Sequence, residues 1–277
     1  MAKISYLTID DSPTHHTDQL TDWLSARGIP AVLFCIGSTY QDLHLTCDGM
    51  TQLPDPIIRA IQKGFMIGNH TWSHRRASTL SYDQIIEEIE RTELMIDNLY
   101  RRAGRARPAK LLRFPHIDRG TGGWIVDYPS LGIHEPAIRE LFGNGLNIKL
   151  SPPPAEWVDK KNRIQEYLTR AGFTANIYPG VTFDWFTQTE MALARDHLYT
   201  FSTSDWMMNP DFTSYNSEWA YHSLSDLKQK IDHDPWLHSE QSANIVLAHD
   251  HNNMFDVTTS LIEHMIKTGI SFREVKV

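Results

Sequence analysis

Cysteine is almost missing from the chain: Cys35 and Cys47 are the only two. That excludes a disulfide-stapled scaffold, and without a Cys-x-x-Cys pair it excludes a cysteine zinc knuckle. Long hydrophobic runs are missing too. The longest, such as 31–36 and 245–248, fall far short of the ~20 residues that cross a bilayer, so no membrane span is expected. Positive charge is in deficit, with 26 Lys and Arg against 34 Asp and Glu and a net charge of −8. No basic run interleaved with aromatics occurs, which argues against a groove for nucleic acid. Nor does a charged-then-apolar leader precede Ile4, so the sequence reads as cytoplasmic, or as a chain whose leader has been trimmed. Internal repeats and low-complexity tracts are also absent. What remains is an ordinary folding composition, 41% hydrophobic and 22% charged over 277 residues. It suits a single domain over 1–277, since α/β barrels of roughly 250 residues form one unit.

Apolar runs alternate with amphipathic stretches. Ile4 to Ile9, Pro30 to Ile36, Phe65 to Gly68, Lys110 to Phe114 and Asn244 to Ala248 read as buried strands. Between them, Asp18 to Arg27, Pro56 to Lys63 and Val257 to Lys267 read as helices, each stopped by a glycine. Ser81 with Gln84 makes a capping-box signature ahead of a helix whose Ile85, Ile89, Ile96 and Leu99 share one face. Strands alternating with helices predict an α/β fold of parallel βαβ units, with an open sheet and a closed barrel both compatible. From 119 to 200 the pattern loosens into helices near 136–142 and 156–170, an insertion or cap on that core.

Chemistry-bearing residues fall at the strand ends, where α/β folds build their sites. Asp10 and Asp11 follow the first strand; such a pair by itself is more often a turn or helix cap. His70 and His74 follow the third, at a spacing that puts both imidazoles on one face of a helical turn, within reach of one cation. Joined by a carboxylate from another strand end they make a His₂Asp set, three protein ligands with an open position. Such a set favours zinc, with cobalt, nickel or manganese also accommodated. Arg113 and His249 end two further strands.

Together, Thr8-Ile9-Asp10-Asp11, His70-Thr71-Trp72-Ser73-His74, Arg113-Phe114-Pro115 and Leu247-Ala248-His249 resemble, in order, the motifs of the NodB-homology polysaccharide deacetylases. The resemblance implies a distorted (β/α) barrel that removes an acetyl group from an N-acetylated sugar. It implies Asp11, His70 and His74 as metal ligands, Asp10 as general base, Arg113 as the residue holding Asp10 ionised and oriented, and His249 as general acid. By the same resemblance Pro115, His116, Trp206 and Leu247 line the substrate, with the His116 amide as an oxyanion donor. The chain departs from the pattern at three points. His116 stands where a tyrosine is usual, Ser12 where a glycine is common, and Ser202 at the first acidic position of the fourth motif, where an aspartate orienting the acid histidine is expected. Two Asp-Trp pairs compete for that motif, Asp205-Trp206 and Asp184-Trp185, and the strand-like run 198–202 favours Asp205. Trp72, Trp124, Trp185 and Trp206 are candidates for stacking on a sugar ring, with core packing as the commoner role of any one. Two other readings stay open: the same fold acting on a non-sugar amide, and a sugar-binding protein on a decayed barrel.

Overall fold

The computed structural model describes residues 3–42, 45–121, 132–134, 136–137, 153–210 and 220–277. Strand β1 (Lys3–Ser12) leads into helix α1 (Thr17–Ala26), then β2 (Ala31–Cys35), a small hairpin of β3 (Tyr40–Asp42) and β4 (Leu45–Cys47), α2 (Pro54–Gln62) and β5 (Met66–Asn69). Helix α3 (Tyr82–Arg102) follows. Beyond it lie α4 (Ala155–Arg170), the short α5 (Asp184–Thr187), β6 (Phe201–Ser202), α6 (Leu224–His233), β7 (Asn244–His249), α7 (Phe255–Lys267) and β8 (Ile270–Phe272). The strands of the main sheet run parallel in the order β5-β2-β1-β7-β6, with β8 against the start of β1. Among the described residues no helix is long and apolar enough to cross a membrane.

Strand periodicity divides the sheet's two faces. Tyr6, Val32, Phe34, Ile245 and Leu247 point into one core cluster with Leu111, Ile177, Tyr178 and Tyr199. The alternate residues Leu7, Ile9, Leu33, Val246 and Ala248 pack against Leu20, Leu24, Ile57, Ile61, Ile96 and Leu261 of the helices. Each fully buried Leu or Ile contributes about 2 kcal/mol of transfer free energy, so the apolar strands are held from both sides. Gly68 is required where β5 pairs with β2, because a Cβ there would lie 2.5 Å from the Phe34 ring. The capping box forms as read: Ser81 Oγ accepts from the Gln84 N–H at 3.2 Å and Gln84 Oε1 from the Ser81 N–H at 2.9 Å. Ile85, Ile89, Ile96 and Leu99 are all buried along α3.

One expected strand is only partly formed. The run from Lys110 to Phe114 pairs with β5 through the bridge Asn69↔Leu112, but its other edge is shared between two segments. Thr174 N–H donates to the Lys110 carbonyl at 2.8 Å and His197 N–H to the Leu112 carbonyl at 2.7 Å, so no continuous ladder develops. Because Thr200 N–H in turn donates to the Ile245 carbonyl of β7 at 2.9 Å, the sheet closes on itself through irregular backbone into a distorted barrel. The strand read at 198–202 likewise shortens to Phe201–Ser202. In the described part of 119–200, Phe173, Ile177, Tyr178 and Tyr199 belong to the core clusters, and buried Arg119 pairs with buried Asp196 at 2.7 Å. That stretch builds barrel wall. Of the helix read at 136–142, all but residues 136–137 lies outside the described residues.

Candidate active site

Adjacent residues of a strand point to opposite faces, so Asp10 and Asp11 reach one site only where that alternation breaks. It breaks at Asp11, whose φ of 68° is left-handed and coincides with a shift in the β1–β2 register between Ile9 and Ser12. Aspartate tolerates this region better than most residues. Both carboxylates are buried, and Asp10 lies opposite His249 in the β1–β7 register.

The His70 to His74 segment is not the helical turn read from its spacing. Thr71 and His74 have left-handed φ of 63° and 55°. The loop is shaped by tertiary partners instead: Asn69 Oδ1 accepts the Thr71 N–H at 2.8 Å, and Glu88 accepts the Ser73 N–H at 2.7 Å. Both imidazoles still converge, with Nε2 of His70 and His74 at 3.2 and 2.9 Å from Asp11 Oδ1. His70 Nδ1 lies 2.8 Å from the Arg113 carbonyl oxygen and must donate to it, which leaves Nε2 as a lone pair. Asp11 Oδ1 is buried and makes no hydrogen bond. An imidazole lone pair and a carboxylate oxygen thus face each other with no proton between them, an arrangement that a cation resolves. The ligand atoms of Asp11, His70 and His74 all lie within 4.8 Å of one another, and this donor set fits a divalent transition metal. Burial pushes the His74 pKa down against the pull of Asp11. For Asp11 burial acts upward, yet His74 and the hydrogen bond from His251 hold its carboxyl well below the usual range.

Next to this set, the fully buried Arg113 donates from Nη1 to Asp10 Oδ1 at 2.9 Å and to Thr8 Oγ1 at 2.8 Å. Its Nε donates to the His197 carbonyl at 2.7 Å, and its guanidinium lies 4.5 Å from the Phe34 ring centroid. Asp10 Oδ2 is left 3.9 Å from His70 Nε2, facing the ligand set. On β7, opposite Asp10, His249 Nδ1 lies 2.7 Å from Asp205 Oδ1, and Asp205 Oδ2 accepts the His249 N–H at 2.9 Å and Thr258 Oγ1 at 3.2 Å. Burial by itself would lower the His249 pKa, but the Asp205 carboxylate outweighs it and holds the imidazole up to about 9.

Asp205 meets His249, whereas Asp184 is exposed at the start of α5. The aspartate orienting the histidine comes from position 205, so Ser202 leaves no gap in that pair. Trp185 is a core residue, stacked on Phe183 at 5.3 Å and 3% exposed, and offers no platform. Trp206 is half-buried beside Asp205, Trp72 is half-buried under Arg91, and Trp124 lies outside the described residues. Pro115 and Leu247 are buried, and His116, left-handed at φ 56°, packs its ring 4.7 Å from that of His74. Burial, helped by His74, pushes the His116 pKa well down. Thr8 stood in the first motif without a role of its own, and none was assigned to Asp250 or His251, whose signal was the run His249-Asp250-His251 at the end of a strand.

Residues 1–120 match the polysaccharide deacetylase family. This segment holds Asp10, Asp11, His70, His74 and Arg113, while Asp205 and His249 lie beyond it. Among curated proteins the chain is similar to the peptidoglycan-N-acetylmuramic acid deacetylase PdaC of Bacillus subtilis, 31% identical over 98 residues, 35% of this chain and 19% of that protein. It is also similar to the chitin deacetylase of Colletotrichum lindemuthianum, 31% identical over 130 residues, 46% of this chain and 47% of that one. The chain therefore spans less than half the length of either relative. Whole-fold likeness extends further. The solved Colletotrichum enzyme aligns over 98% of this chain and 86% of its own, with TM-score 0.53 and 18% identity. The catalytic domain of a peptidoglycan N-acetylglucosamine deacetylase from Eubacterium rectale aligns over 100% and 92%, with TM-score 0.55 and 16% identity. The barrel is thus the fold of the polysaccharide deacetylases.

Proposed function

We propose that this chain is a metal-dependent hydrolase that removes the acetyl group from an N-acetylated hexosamine in an oligo- or polysaccharide. The observation that carries the reading is the convergence of His70 Nε2 and His74 Nε2 on the bond-free Asp11 Oδ1, with the Asp10–Arg113 and His249–Asp205 pairs meeting at the adjoining β1–β7 register. A divalent metal, zinc by preference, would be held by Asp11, His70 and His74 and would supply Lewis acidity toward water and the amide carbonyl.

The chain's own residues supply the proton transfers. Asp10 Oδ2 accepts a proton from water as its oxygen attacks the acetamide carbonyl, while Arg113 fixes the other carboxylate oxygen and with it the direction of Oδ2. An amine leaves an acyl carbon poorly unless protonated. His249, held cationic by Asp205, donates from Nε2 to the departing nitrogen, so the C–N bond breaks and acetate and a free amine result. The His116 ring, in place of the usual tyrosine, forms wall against His74 and leaves its backbone N–H as the oxyanion donor.

Acetate release from short N-acetylglucosamine oligomers tests the reading, using protein stripped with chelator and then re-supplied with zinc or cobalt. Activity should vanish on stripping and return with metal. Absence of acetate with every metal, from protein that binds metal, would sink the sugar-deacetylase assignment.

A further inference from the structure

The turn after β7 carries three consecutive side chains that reach three different parts of the site. His249 meets Asp205, Asp250 accepts from the hydroxyls of Ser12, Thr14 and Thr17 at 3.0, 2.8 and 2.6 Å, and His251 meets Asp11. Taking Asp11, His70 and His74 as the cation site, we infer that His251 is a positioning residue that confines Asp11 to a single ligating oxygen.

His251 is 3% exposed, and its Nε2 lies 2.6 Å from Asp11 Oδ2, not from the Oδ1 that faces His70 and His74. A carboxylate oxygen only accepts, so Nε2 carries the proton. Asn209 Nδ2, 3.4 Å from His251 Nδ1, donates to the opposite nitrogen and selects the same tautomer. With Oδ2 turned toward the His251 N–H, Oδ1 alone faces His70 and His74, which favours a one-oxygen contact to an ion. Bidentate carboxylates serve large, many-coordinate cations such as calcium, whereas a one-oxygen ligand beside two imidazoles suits a four-coordinate ion with one open position. The hydroxyl clamp around Asp250 ties the backbone that follows Asp11 to the same turn, so the His251–Asp11 contact is fixed from both ends.

The test is zinc affinity, by competition with a chromophoric chelator, for wild type, His251→Leu and His251→Gln, with no substrate present. Loss of the N–H in His251→Leu should weaken zinc binding roughly 10–100-fold, and His251→Gln, which restores a donor at similar reach, should recover most of it. Ring-¹⁵N NMR of metal-free wild type should report the Nε2–H tautomer for His251, a readout that needs no variant to fold. Wild-type zinc affinity in His251→Leu, a His251→Gln variant as impaired as His251→Leu, or the Nδ1–H tautomer would each overturn the inference. Wild-type protein that takes up no zinc would overturn the ligand set itself, and this inference with it.

Discussion

Replacing Asp205 by Asn keeps the shape of the side chain against His249 while deleting the charge that raises the pKa of the histidine. In the native pair burial depresses the imidazole pKa and Asp205 more than reverses it, from 6.5 to about 9. At about 1.4 kcal/mol for each tenfold change, that rise is worth about 3 kcal/mol in favour of the imidazolium. Because the folded pKa is the higher one, this stabilisation is complete below about pH 6.5 and lost as pH rises through about 9. Asp205 has the opposite sign: burial acts upward, His249 pulls its pKa below 3.8, and its share is lost only as pH falls through that lowered value. In metal-free Asp205→Asn, only Asp11 and Asp10 still oppose burial, and His249 should titrate well below 9. NMR titration of the His249 ring protons reads this directly. At pH 8 turnover should fall about 10²–10⁴-fold, the usual contribution of a general acid, and the alkaline limb of the rate profile should move to lower pH. A His249 still titrating near 9 in Asp205→Asn, or an unmoved alkaline limb, would refute the account of the pair.

Asp10→Asn should retain zinc in one equivalent while turnover drops at least about 10²-fold, since the base is separate from the ligand set; near-normal rates would remove Asp10 from that role. His74→Ala should lose zinc and activity together, and equilibrium dialysis showing unchanged zinc uptake would remove His74 from the ligands. Arg113→Met leaves the buried Asp10 carboxylate without its ion pair and should cost about 3–5 kcal/mol in urea unfolding of the metal-free protein. A cost under about 1 kcal/mol would mean that Asp10 finds another partner.

The strand-end residues were readable because a strand buried on both faces appears as an unbroken apolar run, and the first polar residue after it marks the rim of the barrel. Asp10 and His249 stand at that point, and Asp11, His70 and Arg113 lie within two residues of such a strand end. The course of the 70–74 loop was not, since its left-handed residues are imposed by Asn69 and by Glu88 of α3, fifteen positions from Ser73. Local sequence could not separate Asp184 from Asp205 decisively, because both precede a tryptophan; only the placement of β6 beside β7 brings Asp205 to His249. The Lys110 to Phe114 strand looked complete because sequence says nothing about how a neighbouring edge is divided. His251 carried only a weak signal, its place two residues beyond His249, since a histidine beyond a strand is as often solvated as buried.

The left-handed backbone at Asp11 narrows what can ever occupy that position. A residue there is screened twice, once for a carboxylate oxygen at the right reach and once for tolerance of a positive φ, and the two filters are independent. Glutamate passes the first in charge but is disfavoured by the second, asparagine passes the second and loses the charge, and glycine satisfies only the backbone. Under random mutation this codon should therefore be far less forgiving than that of Asp10, whose backbone sits in ordinary strand conformation. A chain that had lost selection for catalysis but kept its fold would be expected to replace Asp11 first by asparagine or glycine, a drift pattern that separates retired barrels from working ones.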